Sequence, residues 1–527
     1  MKYFKFSVIV TIVLIFIISG CDDYVTQPKL GTRELDDYFS NPESATQFVN
    51  ASYEAIGTNT WWKTNFFRLM STMATDDGWA GNTQQPRPEI YSYSGYSNVE
   101  SGAARNNSFW RFNYQAITRT NIAIEKIPEV EFDNERLQER LVAEAKFLRS
   151  FYYFTLVKNY GGVPITTSFS ELLEPEIYKY QRQSRDSVYK LIEKGFREAA
   201  EVLPRKSEYS PTELGRATQG AAKGYLAKAY LFQEKFEEAQ QLFEEVINSG
   251  EYQLHPDFSK VWSIENENGP GSIFEIQYAF NPSFTTGGVY GITTGSRADG
   301  GWSWCTPTSN LEQAYLADDD SVRLRSTIIK HGESVYGDPG VDSFDASPAD
   351  NKSGRIWRKF YIPQNQRPDP YANGNLQKNY ILMRYADLLL MHAEAAYQNG
   401  DEQAARTSLE KVRDRVGLAT DMSLSGTDLR DAIWKERRLE LAGEQHRLFD
   451  LRRQKVNGEP RIAQIMGPNG SFVEYNTEES TDPFETTNNT EPQDSGIDFN
   501  VNIHTVWPIP AQTVQQSQGR IEQNPGY

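Results

Sequence analysis

Apolar residues recur at helical spacing along much of this chain, which predicts a mainly α-helical protein. One stretch repeats apolar residues three or four positions apart, as a buried helix face does: Leu141, Ala145, Leu148, Tyr152 and Leu156. A second face of the same stretch carries Phe147, Phe151 and Phe154. We therefore expect a helix that is buried on most sides and that ends at the glycine and proline of 161–164.

Two further helices have clear start or stop signals. The first is predicted over Asn41–Ile56, where Asn41 supplies a cap, Pro42 a first-turn proline and Glu43 a first-turn acid. The second is an amphipathic helix over Asp186–Leu203, closed by the proline that follows.

Two segments have the pattern of helical hairpins. Ala217–Phe232 is rich in small residues, and a second helix with apolar residues at helical spacing follows it from Phe236 to Ile247. The turn between them, Ala229–Ala239, resembles that of a tetratricopeptide repeat. Tyr385–Val416 predicts the second hairpin. Because the two hairpins are far apart in the sequence, we expect a helical scaffold with insertions and not a regular tandem array of repeats.

The remaining segments lack a sustained period. Thr58–Asn107 is predicted to form long loops, and 250–379 an irregular half whose clear strand candidate is Ser272–Ala279. Gly467–Asn500 is polar, acidic and rich in Thr and Asn, which predicts an exposed or poorly ordered insertion. The predicted fold class is mainly α: a tetratricopeptide-like scaffold with a loop-rich irregular half containing few short strands.

The N-terminus has the pattern of a secretory signal. Lys2 and Lys5 precede an apolar run of 13 residues, Phe6–Ile18, which is too short for an ordinary membrane-spanning helix. The run stops at Ser19-Gly20-Cys21, which resembles a bacterial lipobox, so we expect Cys21 to be lipidated. The alternative is a plain signal peptide with a chance cysteine.

Charge and cysteine content narrow the possible partners. Lys and Arg number 54 against 71 acids, and a net charge of −17 disfavours nucleic acid as a partner. If Cys21 carries lipid, the second cysteine, Cys305, has no intrachain disulfide partner, and we expect it to be a small buried apolar residue.

The sequence carries no signature of a catalytic or cofactor-binding site. There is no Gly-rich phosphate loop, no Gly-x-Ser-x-Gly and no His-Glu-x-x-His, and the five histidines are scattered. Acid pairs such as Asp76-Asp77 or the run 318–320 could in principle act as a glycosidase pair. The alternating acids and arginines of Glu436–Arg452 indicate a structural ion-pair network. We expect no enzyme activity, no cofactor and no metal site.

Several strings, in order, resemble the SusD/RagB family of Bacteroidetes outer-membrane lipoproteins. These are EAKFLRSFYYF at 144–154 with YGGVP at 160–164, RYADLLLMHAEA at 384–395, KERRLELAGE at 435–444, and the closing PIP at 508–510 with QNPGY at 523–527. The resemblance covers essentially the whole mature chain. It implies the helical scaffold with a loop-rich face described above.

The resemblance also implies a role and a division of the chain. Family members sit at the outer membrane over a SusC-like TonB-dependent transporter and bind its substrate outside the cell. The expected parts are a signal peptide (1–20), a tether (21–40) and one SusD-like domain (41–527). Within the domain we distinguish a helical half (41–250), a loop-rich ligand-side region (251–380), the second hairpin with the charged helix (381–465), a polar insertion (466–500) and a closing segment (501–527).

The predicted ligand is a glycan, bound on a shallow aromatic platform made by two distant loops. By position in the family, the candidate contacts are Asp77, Trp79, Asn82, Tyr290, Trp302 and Trp304. Flat rings stack on sugar faces while Asn and Asp hydrogen-bond to hydroxyls. The alternatives are that Trp302 and Trp304 plug the irregular half, and that the chain captures peptides or another nutrient or is a structural lid. Trp61 and Trp62 are expected in the core.

Overall fold

The helices begin and end at residues that local chemistry favours. In the computed structural model of the chain, the Asn134 side chain accepts a hydrogen bond from the Leu137 amide, 3.3 Å away, and starts the longest helix. That helix ends at Gly161, whose φ of 75° lies in the left-handed region that favours glycine. The structure describes residues 35–57, 66–81, 88–170, 180–283, 286–347, 350–371, 374–475 and 497–527.

Helices dominate the described residues. In chain order they are α1 (Pro42–Gly57), α2 (Phe66–Met73), α3 (Pro88–Gly95), α4 (Ala104–Lys126), α5 (Glu135–Tyr160), α6 (Arg185–Val202), α7 (Gln219–Leu231), α8 (Phe236–Asn248), α9 (Tyr290–Thr294), α10 (Ser309–Leu316), α11 (Ser321–Thr327), α12 (Tyr385–Gln398), α13 (Glu402–Asp414), α14 (Gly426–Glu440), α15 (Arg447–Arg453), α16 (Arg461–Met466), α17 (Ser471–Glu474) and α18 (Ala511–Gln516). Short 3-10 turns lie at Asp36–Phe39, Ile127–Glu129, Lys206–Glu208, Phe258–Lys260, Ile264–Asn266, Arg358–Phe360 and Gln364–Gln366. The helices predicted from the pattern over 41–56, 141–160 and 186–203 are confirmed as α1, α5 and α6.

Both predicted helical hairpins are present and touch each other. The pairs α7–α8 and α12–α13 each form a hairpin, and α8 packs against α12. Gln240 on α8 donates to Asp401 at the α12–α13 turn and accepts from Asn399 there, at 3.3 and 3.0 Å. Helices α4, α5, α6 and α7 pack in succession on the other side. The result is a continuous layered scaffold of helix pairs.

Close packing and aromatic rings join this scaffold to the irregular half. A Cβ added at Gly195 on α6 would lie 2.2 Å from Ser150 Oγ on α5, so this crossing needs glycine. The Phe147 ring lies 5.0 Å from that of Phe274 on strand β2 (Ser272–Ile276), and Tyr225 of α7 packs on both. One hydrophobic core therefore extends from the helices into the strand region.

The strands form short antiparallel pairs. They are β1 (Gly78–Trp79) with β3 (Thr306–Pro307), β2 (Ser272–Ile276) with β6 (Tyr380–Arg384), β4 (Ile328–Lys330) with β5 (Arg355–Trp357), and β7 (Lys455–Val456) with β8 (Glu459–Pro460). The strand predicted at 272–279 is confirmed over its first five residues, where Ile276 pairs with Tyr380. Few, short strands are what the sequence predicted.

Two predictions of irregular structure are wrong in part. The segment 58–107 contains helices α2 and α3, and α4 begins at Ala104. Phe66, Phe67 and Met70 on α2 are buried, so tertiary contacts stabilise a helix too short to show a period. In the predicted polar insertion, α17 places Phe472 in the core at 1% exposure. Residues 476–496 of that insertion lie outside the described residues, as do Trp61 and Trp62.

The charged stretch of α14 and α15 forms a buried ion-pair network, as predicted. Glu440 is fully buried and accepts from Arg323, Arg384 and Arg415. Arg437 bridges Asp387 at 3.0 Å and Asp450 at 3.2 Å. Burial alone would raise the pKa of the Glu440 carboxyl, but the three guanidinium groups outweigh it and hold that pKa well below its usual range.

Candidate functional site

Two segments distant in sequence meet at the β1–β3 ladder. Trp79 pairs with Thr306, and the Thr306 hydroxyl donates to the Trp79 carbonyl at 3.3 Å. Two residues further along, the Thr308 amide donates to the Asp77 carbonyl at 3.1 Å. The ladder fixes the Trp79 side chain against a segment from the irregular half. The structure thus brings together the two chain regions from which the predicted site residues come.

A groove of about 360 Å³ opens beside this ladder. Its aromatic wall contains half-buried Trp79 and Tyr91 and the edge of Phe472, whose ring centroid is 6.4 Å from that of Trp79. Its polar lining includes Ser92, Ser94, Ser97, Asn98 and Lys352. A concave site with rings and a few polar groups is the usual form of a small-molecule or sugar site. We call this site the Trp79 groove.

A close backbone approach joins Lys352, a lining residue of the Trp79 groove, to the chain just after β1. The Lys352 amide donates to the Gly81 carbonyl at 2.9 Å. A Cβ at Gly81 would lie 2.6 Å from Thr306 Oγ1, so a larger residue does not fit there. The Lys352 ammonium lies 5.5 Å from the Tyr91 ring, and burial lowers the pKa of Lys352. Lysine and ring form one wall of the groove together.

Trp302 and Trp304 pack on each other. Their ring centroids are 4.4 Å apart, and both backbone amides are held by carbonyls of α9, at 2.6 Å from Ile292 and 2.8 Å from Thr293. Trp304 is buried at 4% exposure, whereas Trp302 is half-buried. Only Trp302 of this pair keeps an accessible ring, so the prediction that both form an exposed platform is wrong for Trp304.

Tyr290 is also buried, in contrast to the predicted platform. Its ring stacks on Tyr380 with centroids 4.1 Å apart and on Phe360 at 5.4 Å. Burial raises the pKa of the Tyr290 hydroxyl, which also accepts a hydrogen bond from Gln445 at 3.4 Å. The stack belongs to the interior of the irregular half, where it supports α9 and the loop that follows.

Asp77 lies in the interior and not on a platform. Its carboxylate has no exposed surface and accepts from Arg438 Nε at 2.6 Å. Burial raises the pKa of Asp77, opposed only in part by Arg438. The neighbouring Asp76 is bound by Arg447 at 2.7 Å and by Arg438, which together hold its pKa below the usual range against the effect of burial. These carboxylates tie the β1 segment to α14 and α15.

The other predicted chemistry-bearing residues are used structurally or lie outside the described residues. Asp318 and Asp320 are ion-paired, the first with Arg413 and the second with Arg323. Cys305 is a buried free cysteine, as predicted. Asn82, Cys21, the signal segment and most of the tether lie outside the described residues.

The described residues contain neither a metal-binding cluster nor a membrane-spanning helix. No cluster of three or more His, Cys, Asp or Glu residues is placed to hold a metal ion. None of the helices in this part of the chain has the length and apolar content needed to cross a membrane.

Sequence reasoning missed Tyr91, Lys352 and Phe472 as groove residues. Tyr91 lies in the tyrosine- and serine-rich string YSYSGYS at 91–97, a composition that could have drawn attention to it. Lys352 and Phe472 reach the groove only through the tertiary fold, and nothing in their local sequence marks them.

Two family models match successive parts of the chain. Residues 270–527 match the model described as "SusD family", and residues 33–231 match the one described as "Starch-binding associating with outer membrane".

Relatives from Bacteroidetes are similar over half or all of the chain. A SusD-like protein P2 of Formosa agariphila is 27% identical over 100% of both chains. The starch-binding protein SusD of Bacteroides thetaiotaomicron is 25% identical and aligns with 51% of this chain and 49% of its own length.

Solved structures share the fold. A laminarin-binding SusD-like protein is 27% identical, with a TM-score of 0.74 and coverage of 93% of this chain and 100% of its own. The surface glycan-binding protein A of Bacteroides fluxus, at 22% identity and a TM-score of 0.72 over 93% of this chain and 100% of its own, has the same fold.

The fold is therefore SusD-like: a helical scaffold of packed hairpins that carries a loop-rich face with few short strands. This fold agrees with the two family matches and with the similar relatives. The protein belongs to the SusD/RagB family.

Proposed function

We propose that this protein is a cell-surface lipoprotein of the outer membrane that captures a glycan and passes it to a SusC-like TonB-dependent transporter. The observation that carries the proposal is the Trp79 groove, of about 360 Å³, at the junction of β1 and β3. Half-buried Trp79 and Tyr91 offer ring faces for sugar C–H groups, and the lining serines, Asn98 and Lys352 offer partners for hydroxyls.

Within this proposal the six predicted residues divide into two roles. Trp79 and Trp302 keep accessible ring surface and are proposed to contact the ligand. Asp77, Tyr290 and Trp304 are buried and are proposed to support the segments that carry those rings. Asn82 follows β1 closely in the chain and stays a proposed contact.

Relatives support a saccharide as the ligand class. One similar structure is named as laminarin-binding and one relative as starch-binding, and a matching family model is described as starch-binding and as associating with the outer membrane. The predicted lipid on Cys21 would hold the chain at the membrane, since each buried methylene adds about 0.8 kcal/mol of membrane affinity. We propose that the protein binds the glycan without hydrolysing it, because aromatic side chains on loops of a rigid scaffold are suited to binding.

A polysaccharide panel tests the ligand class. Purified mature chain is titrated with laminarin, starch and other polysaccharides, and with peptides of mixed sequence. We expect saturable binding to at least one polysaccharide, with the glycan recovered at its original length. Binding to peptides alone, or shortening of the glycan, would contradict the proposal.

Co-purification tests delivery. After gentle detergent extraction of the native outer membrane, we expect the lipoprotein to be recovered together with a large β-barrel transporter. Recovery of the lipoprotein alone from the same extract would count against a stable transporter complex.

A further inference from the structure

A second concavity, which shares no lining residue with the Trp79 groove, lies on the helical scaffold. It is a cleft of about 660 Å³ between the start of α6, the α7–α8 turn and α15. That volume lies within the range of roughly 300–1,000 Å³ usual for small-molecule sites. We call it the scaffold cleft.

The lining of the scaffold cleft is cationic in a strongly acidic chain. Seven basic side chains line it: Lys158, Arg185, Lys190, Lys235, Arg452, Arg453 and Lys455. Among the described residues that line the cleft, only Asp186 and Glu234 are acidic. The chain as a whole carries a net charge of −17, so this concentration of positive charge opposes the general trend.

Three of the seven cations are neutralised by the protein itself. Lys235 pairs with Glu193 at 2.6 Å, and Lys455 pairs with Glu234 at 2.5 Å. Arg453 pairs with Glu394 at 2.7 Å and with Asp450 at 2.6 Å. The nearby carboxylates of Glu193, Glu234, Glu394 and Asp450 are therefore paired with these three cations.

The other four cations have no carboxylate within 4.0 Å in the described part of the chain: Lys158, Arg185, Lys190 and Arg452. The Arg452 guanidinium lies 4.5 Å from the Trp507 ring, and its only hydrogen-bond acceptor among the described residues is the His504 carbonyl, at 2.8 Å. Its Nε and Nη1 atoms are buried without an acceptor among the described residues. The part of the chain that the structure describes therefore holds this charge in place without supplying a counter-ion.

Lys158 is also held in place, with no ion-pair partner in the described ranges. Its ammonium lies 4.8 Å from the Phe154 ring and 4.3 Å from the Phe449 ring. It lines both the scaffold cleft and a smaller cavity of about 60 Å³. Aromatic side walls restrict the lysine and leave its charge available to a group in the cleft.

The pKa of Lys158 also indicates that this lysine has too little compensating negative charge around it. Burial, followed by repulsion from Lys228 and Arg68, lowers it to about 7, against the weaker attraction of Asp387 and Asp450. An anion in the cleft would favour the protonated form, so binding would take up a proton. Affinity for the anion should then rise as the pH falls through this range.

We propose that the scaffold cleft binds an oxyanion group, a sulfate, phosphate or carboxylate, presented by a solute of about the size of a sugar unit. Arginine and lysine are the usual partners of such groups, and charge-assisted hydrogen bonds to them are strong. The site is independent of the proposed glycan groove. The chemistry is shared by a free inorganic anion and by an anionic substituent on a saccharide.

Calorimetric titration at constant ionic strength in chloride tests the proposal. The probes are sodium sulfate, glucose 6-sulfate and glucose, each added to the purified mature chain. Glucose should not bind, and at least one sulfated probe should. Binding of sulfate alone indicates a free anion as the natural ligand, whereas tighter binding of the sugar sulfate indicates a charged saccharide.

Variants locate the binding. The Arg185→Gln/Lys190→Gln double substitution should weaken the sulfated probe about tenfold or more, since each 1.4 kcal/mol is a factor of ten. Both residues are exposed, and the double substitution removes one hydrogen bond, from Arg185 to the Phe232 carbonyl at 3.2 Å, and the contact of Arg185 with the Tyr189 ring, so the fold should be kept. The matched control is Lys194→Gln, on the same helix, 71% exposed and 3.8 Å from Glu198, which should bind like the parent. In Lys158→Met the gain in affinity between about pH 8 and about pH 6 should disappear.

Three results would overturn the proposal. The first is no heat with either sulfated probe, and the second is equal affinity in the double variant and in Lys194→Gln. The third is displacement of the sugar sulfate by a short oligoglutamate peptide that binds more tightly, which would assign the cleft to an acidic protein segment. The double variant should keep parental binding of neutral glycan at the Trp79 groove, so the two sites are tested separately.

Discussion

Trp79 lies directly opposite Thr306 in an antiparallel ladder, although 227 positions separate the two residues along the chain. This pairing places the segment around Trp79 beside the segment that follows Trp302 and Trp304. It also leaves Gly81 facing the Thr306 hydroxyl, where no side chain fits. The Trp79 groove therefore depends on contacts between the two halves of the protein.

Gly81→Ala should destabilise the junction. The new Cβ would lie 2.6 Å from Thr306 Oγ1 and 3.0 Å from Asn351 Oδ1, so the two segments must move apart. Overpacking of this kind costs about 1–3 kcal/mol in the free energy of unfolding. Gly102→Ala, which meets nothing within 4 Å, is the control. Chemical denaturation should show a lower midpoint for Gly81→Ala alone, and equal midpoints would show that the approach is not tight.

Glu440→Gln should cost far more than removal of a surface acid. Glu440 is fully buried and is the shared acceptor of Arg323, Arg384 and Arg415. Breaking such a pair leaves buried cations uncompensated, at a cost of about 3–5 kcal/mol. Glu245→Gln removes a 53% exposed partner of Lys223 and should cost at most about 1 kcal/mol. Similar unfolding free energies for the two variants would refute the structural role of the network.

The difference between the parent and Glu440→Gln should shrink in acid. The folded-state pKa of Glu440 lies well below its ordinary value of 4.5, so its contribution is complete above about pH 4.5 and is lost as the pH falls further. Unfolding free energies of both proteins are compared at about pH 7 and about pH 3.5. The gap between Glu245→Gln and the parent serves as the reference. A Glu440→Gln gap that stays constant or widens in acid would contradict the assigned pKa.

The sequence predicted the elements that local chemistry determines. The α5 helix could be placed because its apolar residues recur over several turns and Gly161 stops it. Helices α2 and α3 were missed because eight residues give too few repeats to establish a period. Their stability comes from burial, for example of Phe67 against Phe109 at 4.8 Å, which the local sequence does not reveal.

The candidate site was predicted less well than the fold. The two contributing regions could be named from the family resemblance, but the exposure of each side chain depends on distant partners. Asp77 is buried because Arg438, 361 positions away, binds it. Tyr290 is buried because Phe360 and Tyr380 stack on it.

Cys21→Ser should release the protein from membranes. The apolar run that ends at Cys21 predicts lipidation there, and loss of the acyl chains removes the anchor. Cys305→Ala changes the other cysteine, which is buried, and should leave membrane attachment intact. Fractionation in high salt, in cells lacking the transporter, is the measurement. If the Cys21→Ser protein stays with the outer membrane under these conditions, the anchor lies elsewhere.

Titration of Trp79→Ala with the best glycan from the panel tests the central claim most directly. Trp79 supplies a half-buried ring in the wall of the groove, and loss of such an anchor costs about 2 kcal/mol, or about thirtyfold in affinity. Tyr336→Ala removes a 40% exposed ring outside the groove and is the control. The account predicts about thirtyfold weaker binding for Trp79→Ala and parental binding for Tyr336→Ala, both folded. Parental affinity in folded Trp79→Ala would contradict it.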